Sequence, residues 1–186
     1  MDDGQIIEMY FDRDERAIAE TQRKFGALCI HVSMNILNDR QDSEENVNDT
    51  YMQVWNSIPP NKPDKLAPFI GRIARNLAIN RYKAAHTQKR AQGQFSLSLD
   101  ELDECIPGRN ETESRADANF LKECINKFLR NEKQEARNIF IRRYFYCESV
   151  EYIADQFGLS ESKVKSVLFR QRSRLKKFLE SEGVNL

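Results

Sequence analysis

Apolar residues recur at spacings of three and four along almost the whole chain, which is the period of one buried face of an α-helix. Alternation of apolar and polar residues over the length of a strand is rare. The pattern therefore predicts an all-α protein. The predicted helices span residues 4–22, 24–38, 43–57, 66–86, 117–130, 133–147, 149–157 and 161–181.

Three breaks interrupt this pattern, at residues 38–42, at the proline-rich residues 59–63, and at residues 91–114 with their Gly, Ser, Pro and acidic content. We predict two small helical domains, residues 1–90 and 117–186, joined by a linker at 91–116. The linker contains the apolar residues Phe95, Leu97, Leu99, Leu102 and Ile106. We therefore expect it to lie on a partner or on the flanking domains.

The segment 149–175 predicts two short helices joined by a glycine turn. Ile153 and Phe157 belong to the apolar stripe of the first helix, and Ala154 is small enough for a second helix to cross closely. Gly158 supplies the left-handed residue that ends the first helix, and Ser160 is placed to cap the second. This layout is typical of a helix-turn-helix DNA-binding motif.

The second helix of this motif is strongly basic, with seven Lys or Arg and no Asp or Glu between residues 163 and 177. In a major groove such cations meet phosphates and base edges. A solvated basic surface is the alternative, but the cap, the glycine turn and the one-sided charge agree with DNA binding. The candidate DNA contacts are Ser160, Lys163, Lys165, Arg170, Arg172 and Arg174.

Charge is segregated along the chain, although 29 basic and 29 acidic residues give a net charge of zero. Residues 65–99 hold seven basic and no acidic residues, and residues 136–186 hold ten basic and six acidic ones. Residues 1–64 hold thirteen acidic and six basic residues, and residues 100–135 hold ten acidic and six basic ones. A polyanion would be attracted to the two basic blocks, while the acidic parts are available to other proteins.

The predicted helix 43–57 has one packing side and one acidic side, and Asp42 is its predicted N-cap. Acidic residues in a first turn also suit the helix dipole, so the sequence alone leaves a purely structural role open. The predicted helix 66–86 buries Phe69, Ile70, Ile73, Leu77 and Ile79. Its other side presents Arg72, Arg75, Asn76, Asn80, Arg81 and Lys83. Amide and guanidinium donors suit single-stranded bases, and a solvated basic face is the alternative.

The sequence gives little support for a metal site, a reactive thiol or a membrane-spanning segment. No C-x-x-C pair or metal-ligand spacing occurs among the cysteines and histidines, which are Cys29, Cys105, Cys124, Cys147, His31 and His86. We expect packed thiols, no metal, no cofactor and no enzymatic activity. The acidic N-terminus and the lack of a long apolar run predict a cytoplasmic chain without membrane insertion.

Three segments, DSEENVNDTYMQVWNSI, FIGRIARNLAINRYKAAHTQKR and the cluster around DQFGLSESKVKS, together resemble the bacterial RNA polymerase sigma factors of the extracytoplasmic-function group, within the sigma-seventy family. The resemblance covers almost the whole chain. It implies an N-terminal domain that binds the polymerase clamp and recognises and melts the minus-ten promoter element. It also implies a C-terminal domain that binds the minus-thirty-five element as duplex, and a linker that threads toward the RNA exit path. Core RNA polymerase, promoter DNA and an anti-sigma factor are the implied partners.

The resemblance also implies roles for individual residues. Those that would face the clamp are Asp42, Glu45, Asn48, Asp49 and Gln53. Those that would contact the non-template strand are Arg75, Asn76, Asn80, Arg81 and Lys83, and those that would contact the minus-thirty-five duplex are Ser162, Lys163, Lys165, Ser166 and Arg170. The chain departs from the family at Asn46, where an apolar residue is usual, and at Val167, where an Arg is common.

Two other classes of function compete with this interpretation. A transcriptional regulator that binds duplex DNA without polymerase would explain residues 149–177 equally well, but not the two helices that precede the linker. A metal-dependent or thiol enzyme using Cys29, His31 and the acidic residues has no supporting ligand spacing.

Overall fold

The computed structural model describes residues 1–85, 94–103 and 115–184, and the regular secondary structure in these ranges is entirely helical. The nine helices in the described ranges are α1 (Asp3–Phe11), α2 (Arg16–Leu37), α3 (Arg40–Ser57), α4 (Leu66–Ala85), α5 (Gln94–Asp103), α6 (Arg115–Asn131), α7 (Gln134–Tyr144), α8 (Val150–Phe157) and α9 (Glu161–Ser181). The prediction of an all-α protein is confirmed. The chain divides into two units, Met1–Gly93 and Gln94–Leu186. Within the described ranges no helix combines the length and the apolarity that crossing a bilayer requires.

The N-terminal unit is built around α2, which packs against α1, α3 and α4. Its buried core is formed by Ile6, Ile7, Tyr10, Ala17, Phe25, Cys29, Tyr51, Val54, Ile58, Leu66, Ile70 and Ala74. Tyr10 is fully buried, and its hydroxyl is 2.8 Å from the Thr21 hydroxyl, so the polar end of this ring keeps a hydrogen bond.

The first break in the chain lies earlier than the sequence predicts. Instead of helices at 4–22 and 24–38, α1 ends at Phe11 and α2 runs without interruption from Arg16 to Leu37. Arg13 has a left-handed φ of 56°, and the Asp14 carboxylate accepts the Arg16 backbone N–H at 3.0 Å. Turn chemistry at Arg13 and Asp14 therefore separates α1 from α2.

The start of α3 also differs from the prediction, which placed the N-cap at Asp42. The cap is Asp39, whose side chain accepts the backbone N–H of Asp42 at 2.9 Å. Asn38, with a φ of 53°, ends α2 immediately before it. Asp42 consequently lies in the first turn, where its charge favours the helix dipole without capping the helix.

The buried face of α4 consists of smaller residues than predicted. Ile70 is buried, as expected, but Phe69, Ile73, Leu77 and Ile79 are only partly buried. The buried positions of this helix are Leu66, Ile70, Gly71, Ala74 and Ala78. Because α2 and α3 both pack against α4, small side chains occupy the centre of the contact and larger ones lie at its sides.

A helix occupies part of the stretch predicted as a linker, so the predicted break is wrong for residues 94–103. This helix, α5, packs against α7; Phe95 is buried and Leu102 packs against the C-terminal core, whereas Leu97 and Leu99 are exposed. Ile106 lies outside the described residues. The assignment of separate functions to residues 1–90 and 117–186 remains a prediction.

The helix-turn-helix of the C-terminal unit is confirmed. Gly158 ends α8 with a φ of 61°, and the Ser160 hydroxyl caps α9 by accepting the Lys163 backbone N–H at 3.2 Å. The buried core contains Cys124, Phe128, Ile139, Phe140, Tyr144, Ile153, Ala154, Val164, Val167, Leu168, Leu175 and Leu179. One side of α9 is thereby committed to the core, and the other faces solvent.

Candidate nucleic-acid interface

The solvent side of α9 carries most of the residues predicted to bind duplex DNA. Those that are exposed are Ser160, Ser162, Lys163, Lys165, Ser166 and Arg170. Several of them line an open groove of about 860 Å³ together with Glu161 and Phe169. The remaining polar bonds on this face are local: Ser166 donates to the Ser162 carbonyl at 2.8 Å, and Lys165 pairs with Glu161 at 3.2 Å.

Phe169 is a candidate contact that the sequence analysis missed. Its side chain is 62% exposed and lines the groove with Lys165, Ser166 and Arg170. A signal was available, because Phe169 follows Lys165 by four residues and Ser166 by three, which places it on their face of the helix. An exposed ring there can make apolar contact with a thymine methyl group in a major groove.

Arg172 and Arg174, also predicted DNA contacts, are engaged elsewhere. The Arg172 side chain is only 14% exposed, and its Nη1 donates to the Tyr144 hydroxyl at 2.8 Å. Arg174 is well exposed but pairs at 2.9 Å with the buried carboxylate of Glu132. The structure therefore does not bring these two residues into the groove of α9.

A polar stripe runs along the exposed side of α4. Arg72, Asn76, Asn80 and Lys83 are exposed and follow one another at spacings of four and three, so they share one face. Arg75, which lies at the edge of this stripe, is partly buried. The guanidinium of Arg72 lies 5.6 Å from the centre of the Phe69 ring. This stripe offers amide and cationic donors to a nucleic acid strand.

Arg81 stands apart from the stripe, although it was predicted to belong to it. Its guanidinium donates to Glu45 Oε2 at 3.0 Å and to Asp49 Oδ2 at 2.5 Å, both on α3. The hydrogen bonds with Asp49 and then Glu45 raise the pKa of Arg81. A predicted DNA contact is thus bound to two predicted clamp contacts.

The predicted clamp contacts lie on one exposed side of α3. All five are exposed, namely Asp42, Glu45, Asn48, Asp49 and Gln53. Met52 is 56% exposed beside them and adds apolar surface.

Both departures from the family pattern are buried. The Asn46 amide nitrogen donates to Ser33 Oγ at 2.8 Å and to the Ala74 carbonyl at 3.0 Å, and so joins α3 to α2 and α4. Val167 lies in the C-terminal core, 9% exposed. Neither residue interrupts an exposed surface.

Cys29, Cys124 and Cys147 are buried and are not in disulfides, which confirms the expectation of packed thiols for these positions. Burial raises the pKa of the Cys29 thiol to about 12. Such a thiol is protonated at neutral pH and is not an activated nucleophile. Within the described ranges no group of three or more metal-ligating side chains occurs, while Cys105 and His86 lie outside those ranges.

Comparison with known proteins adds two findings. Residues 23–87, which include α3 and α4, match the family model described as Sigma-70 region 2. The chain is also 25% identical over 152 residues to the ECF RNA polymerase sigma factor SigM of Bacillus subtilis (strain 168), and this similarity covers 82% of the chain and 88% of the relative.

Proposed function

Because the chain belongs to the extracytoplasmic-function group of the sigma-70 family, we propose that it binds core RNA polymerase and directs it to specific promoters. The observation that carries this proposal is that the N-terminal unit has two exposed polar surfaces of different chemistry. An exposed acidic side of α3 and an exposed amide and cation stripe of α4 lie within the one segment that matches Sigma-70 region 2. A regulator that binds only duplex DNA needs neither surface.

We assign the acidic side of α3 to the polymerase. Asp42, Glu45 and Asp49 are exposed carboxylates, and Asn48 and Gln53 add amides that can donate or accept. Such a surface complements a basic helical surface on a partner, and electrostatic complementarity favours fast association and correct register. The clamp of core polymerase is the partner that the family membership supplies.

We assign the stripe of α4 to the non-template strand of the minus-ten element. The edges of stacked bases are hidden in a duplex, so Asn76 and Asn80 can bond to them only after the strands separate. Arg72, Arg75 and Lys83 would hold the phosphates. Capture of unstacked bases stabilises the open bubble over the duplex, and strand separation then needs no ATP.

We assign the exposed face of α9 to the minus-thirty-five duplex. Lys163, Lys165 and Arg170 are exposed cations on a helix whose N-terminus is free to enter a major groove. Ser162 and Ser166 can contact either base edges or phosphates. The protein contributes binding energy, while phosphodiester synthesis belongs to the polymerase. We further propose that it acts in the cytoplasm and that an anti-sigma factor restrains it.

The test is whether the purified protein joins and redirects core polymerase. We expect co-elution with bacterial core enzyme in gel filtration, and transcripts with discrete start sites from a promoter library in vitro. A protein that binds duplex DNA but neither co-elutes with core enzyme nor directs initiation would be a polymerase-independent regulator, and the proposal would be wrong.

A further inference from the structure

We propose that Arg81 is a positioning residue for the polymerase-binding side of α3 and does not contact DNA. This inference rests on the function proposed above. It concerns how one α4 side chain prepares a surface that belongs to another helix.

The geometry places Arg81 between two acidic side chains one helical turn apart. Its Nη1 bonds to Glu45 Oε2 and its Nη2 to Asp49 Oδ2, so the two ends of one planar guanidinium join the two carboxylates. Carboxylates at this spacing repel each other in an isolated helix. The shared cation offsets that repulsion and restricts the rotamers of both acids.

The helical register of Arg81 separates it from the nucleic-acid stripe. Arg81 follows Ala78 by three residues and Ala74 by seven, and both alanines are buried. It therefore extends the buried side of α4 beyond Ala78, the last buried residue of this helix, where α3 is a neighbouring helix. Its side chain is 32% exposed and the residue is partly buried, whereas Asn80 and Lys83 on the stripe are exposed.

The bonds to Arg81 leave both carboxylates able to accept a second partner. Glu45 and Asp49 are 53% and 54% exposed, and each bonds to Arg81 through a single oxygen. A carboxylate has two oxygens and about four acceptor positions, so a cation on the polymerase can bind to the other oxygen. Arg81 thus holds two acids at a defined separation before the partner arrives, which lowers the entropy cost of association.

The experiment measures the affinity of purified variants for core polymerase. We expect Arg81→Ala to weaken core binding about three- to tenfold, the size appropriate to two half-exposed ion pairs. Arg81→Lys should stay at least about twofold weaker than the unaltered protein, because a point-like ammonium cannot join two carboxylates as a planar fork does. Arg40→Ala is the matched control: it removes an equal charge and an α3 ion pair, that with Glu44, and should leave core affinity unchanged.

Two further measurements separate positioning from general stability and from DNA binding. In a Glu45→Gln, Asp49→Asn background, Arg81→Ala should have no additional effect on core affinity, since its partners have lost their charge. At saturating core enzyme, binding of a minus-ten single-stranded oligonucleotide should be the same with Arg81→Ala as with the unaltered protein. Thermal unfolding of each variant confirms that the compared proteins are folded.

The results that overturn the inference are distinct from those that overturn the proposed function. Unchanged or tighter core binding by Arg81→Ala, or complete recovery with Arg81→Lys, would reject the positioning role. Loss of oligonucleotide binding with normal core affinity would indicate that Arg81 contacts DNA, and would also reject the positioning role. Failure of the unaltered protein to bind core enzyme would reject the proposed function, and this inference with it.

Discussion

Glu101 of α5 accepts a hydrogen bond from Arg143 of α7 through its Oε1, at 2.7 Å from Arg143 Nη2. The Arg143 side chain is only 3% exposed, so its charge needs a partner inside the unit. The Tyr144 hydroxyl donates to the other oxygen of Glu101 at 2.9 Å, and Arg172 Nη1 lies 3.4 Å from that oxygen. A carboxylate from the stretch predicted as a linker thus neutralises buried charge in the C-terminal unit.

We predict that Glu101→Gln destabilises the C-terminal unit by about 2 kcal/mol, because it leaves the Arg143 guanidinium without a full countercharge. The only tryptophan of the chain is Trp55, in the N-terminal unit, so its fluorescence follows that unit alone. In urea titrations the circular-dichroism transition should shift to lower urea while the Trp55 transition stays in place. Glu123→Gln, which changes an exposed acid of α6, is the control. Identical circular-dichroism transitions for Glu101→Gln and Glu123→Gln would contradict the prediction.

Asp3 connects three helices of the N-terminal unit, and its loss should destabilise that unit. Its carboxylate accepts two hydrogen bonds, one from Lys24 Nζ at 2.7 Å and one at 2.9 Å from the backbone N–H of Leu66, the first residue of α4. Asp3→Asn should cost about 1 kcal/mol at neutral pH, as loss of a charged helix cap does. Trp55 fluorescence in urea gives the measurement.

The same variant should show a defined pH dependence. The hydrogen bond from Lys24, and then that from Leu66, lower the pKa of Asp3 in the folded state, against the opposing effect of burial. The stabilisation that the ionised Asp3 gives to the folded protein is therefore complete above the unfolded pKa of about 3.9. It is lost as the pH falls through the lower pKa of Asp3 in the folded state. The difference in the free energy of unfolding between the unaltered protein and Asp3→Asn should shrink as the pH is lowered from 7 to about 3. A difference that persists undiminished in acid would refute the electrostatic account.

Duplex binding should depend on the cations of α9. Lys163→Ala and Lys165→Ala should each weaken binding to a minus-thirty-five duplex, because fewer counterions are released on association. The slope of log affinity against log salt should fall in magnitude by about 1 for each lost phosphate contact. Fluorescence anisotropy over a salt series tests this, with Lys122→Ala on α6 as the control. Unchanged slopes would remove α9 from the DNA interface.

Asn80→Ala should impair promoter opening more than promoter binding. An exposed amide on the α4 stripe can bond to a base edge only after the strands separate, so its loss raises the energy of the open complex alone. We expect a decrease in opening of about tenfold, the size of one lost base contact. Permanganate reactivity of the minus-ten thymines reports opening, and mobility shift reports the closed complex. Asn126→Ala on α6 is the control, and normal reactivity in Asn80→Ala would exclude the role.

Several features built from neighbouring residues were predictable from the sequence, although the N-cap of α3 was placed at Asp42 and lies at Asp39. The turn at Gly158, the cap at Ser160 and the exposed cations of α9 were all predicted correctly as structural features. Each depends on residues within about one helical turn, where backbone geometry leaves few alternatives. The break at Arg13 was missed because a left-handed arginine has no strong sequence signal of the kind that glycine has.

By itself the sequence determined the helical period, most helix ends and the two sides of α3 and α9, because these follow from local spacing and from the tendency of apolar faces to leave water. Only the tertiary structure decided the partners of long charged side chains. Arg81 and Arg172 resemble their exposed neighbours in the sequence, yet one is bound to Asp49 and the other to Tyr144. The physical reason is distance. A long, flexible cation bonds to the acceptors that the packing of other helices brings within its reach, and the spacing of residues along the sequence does not predict which acceptors these are.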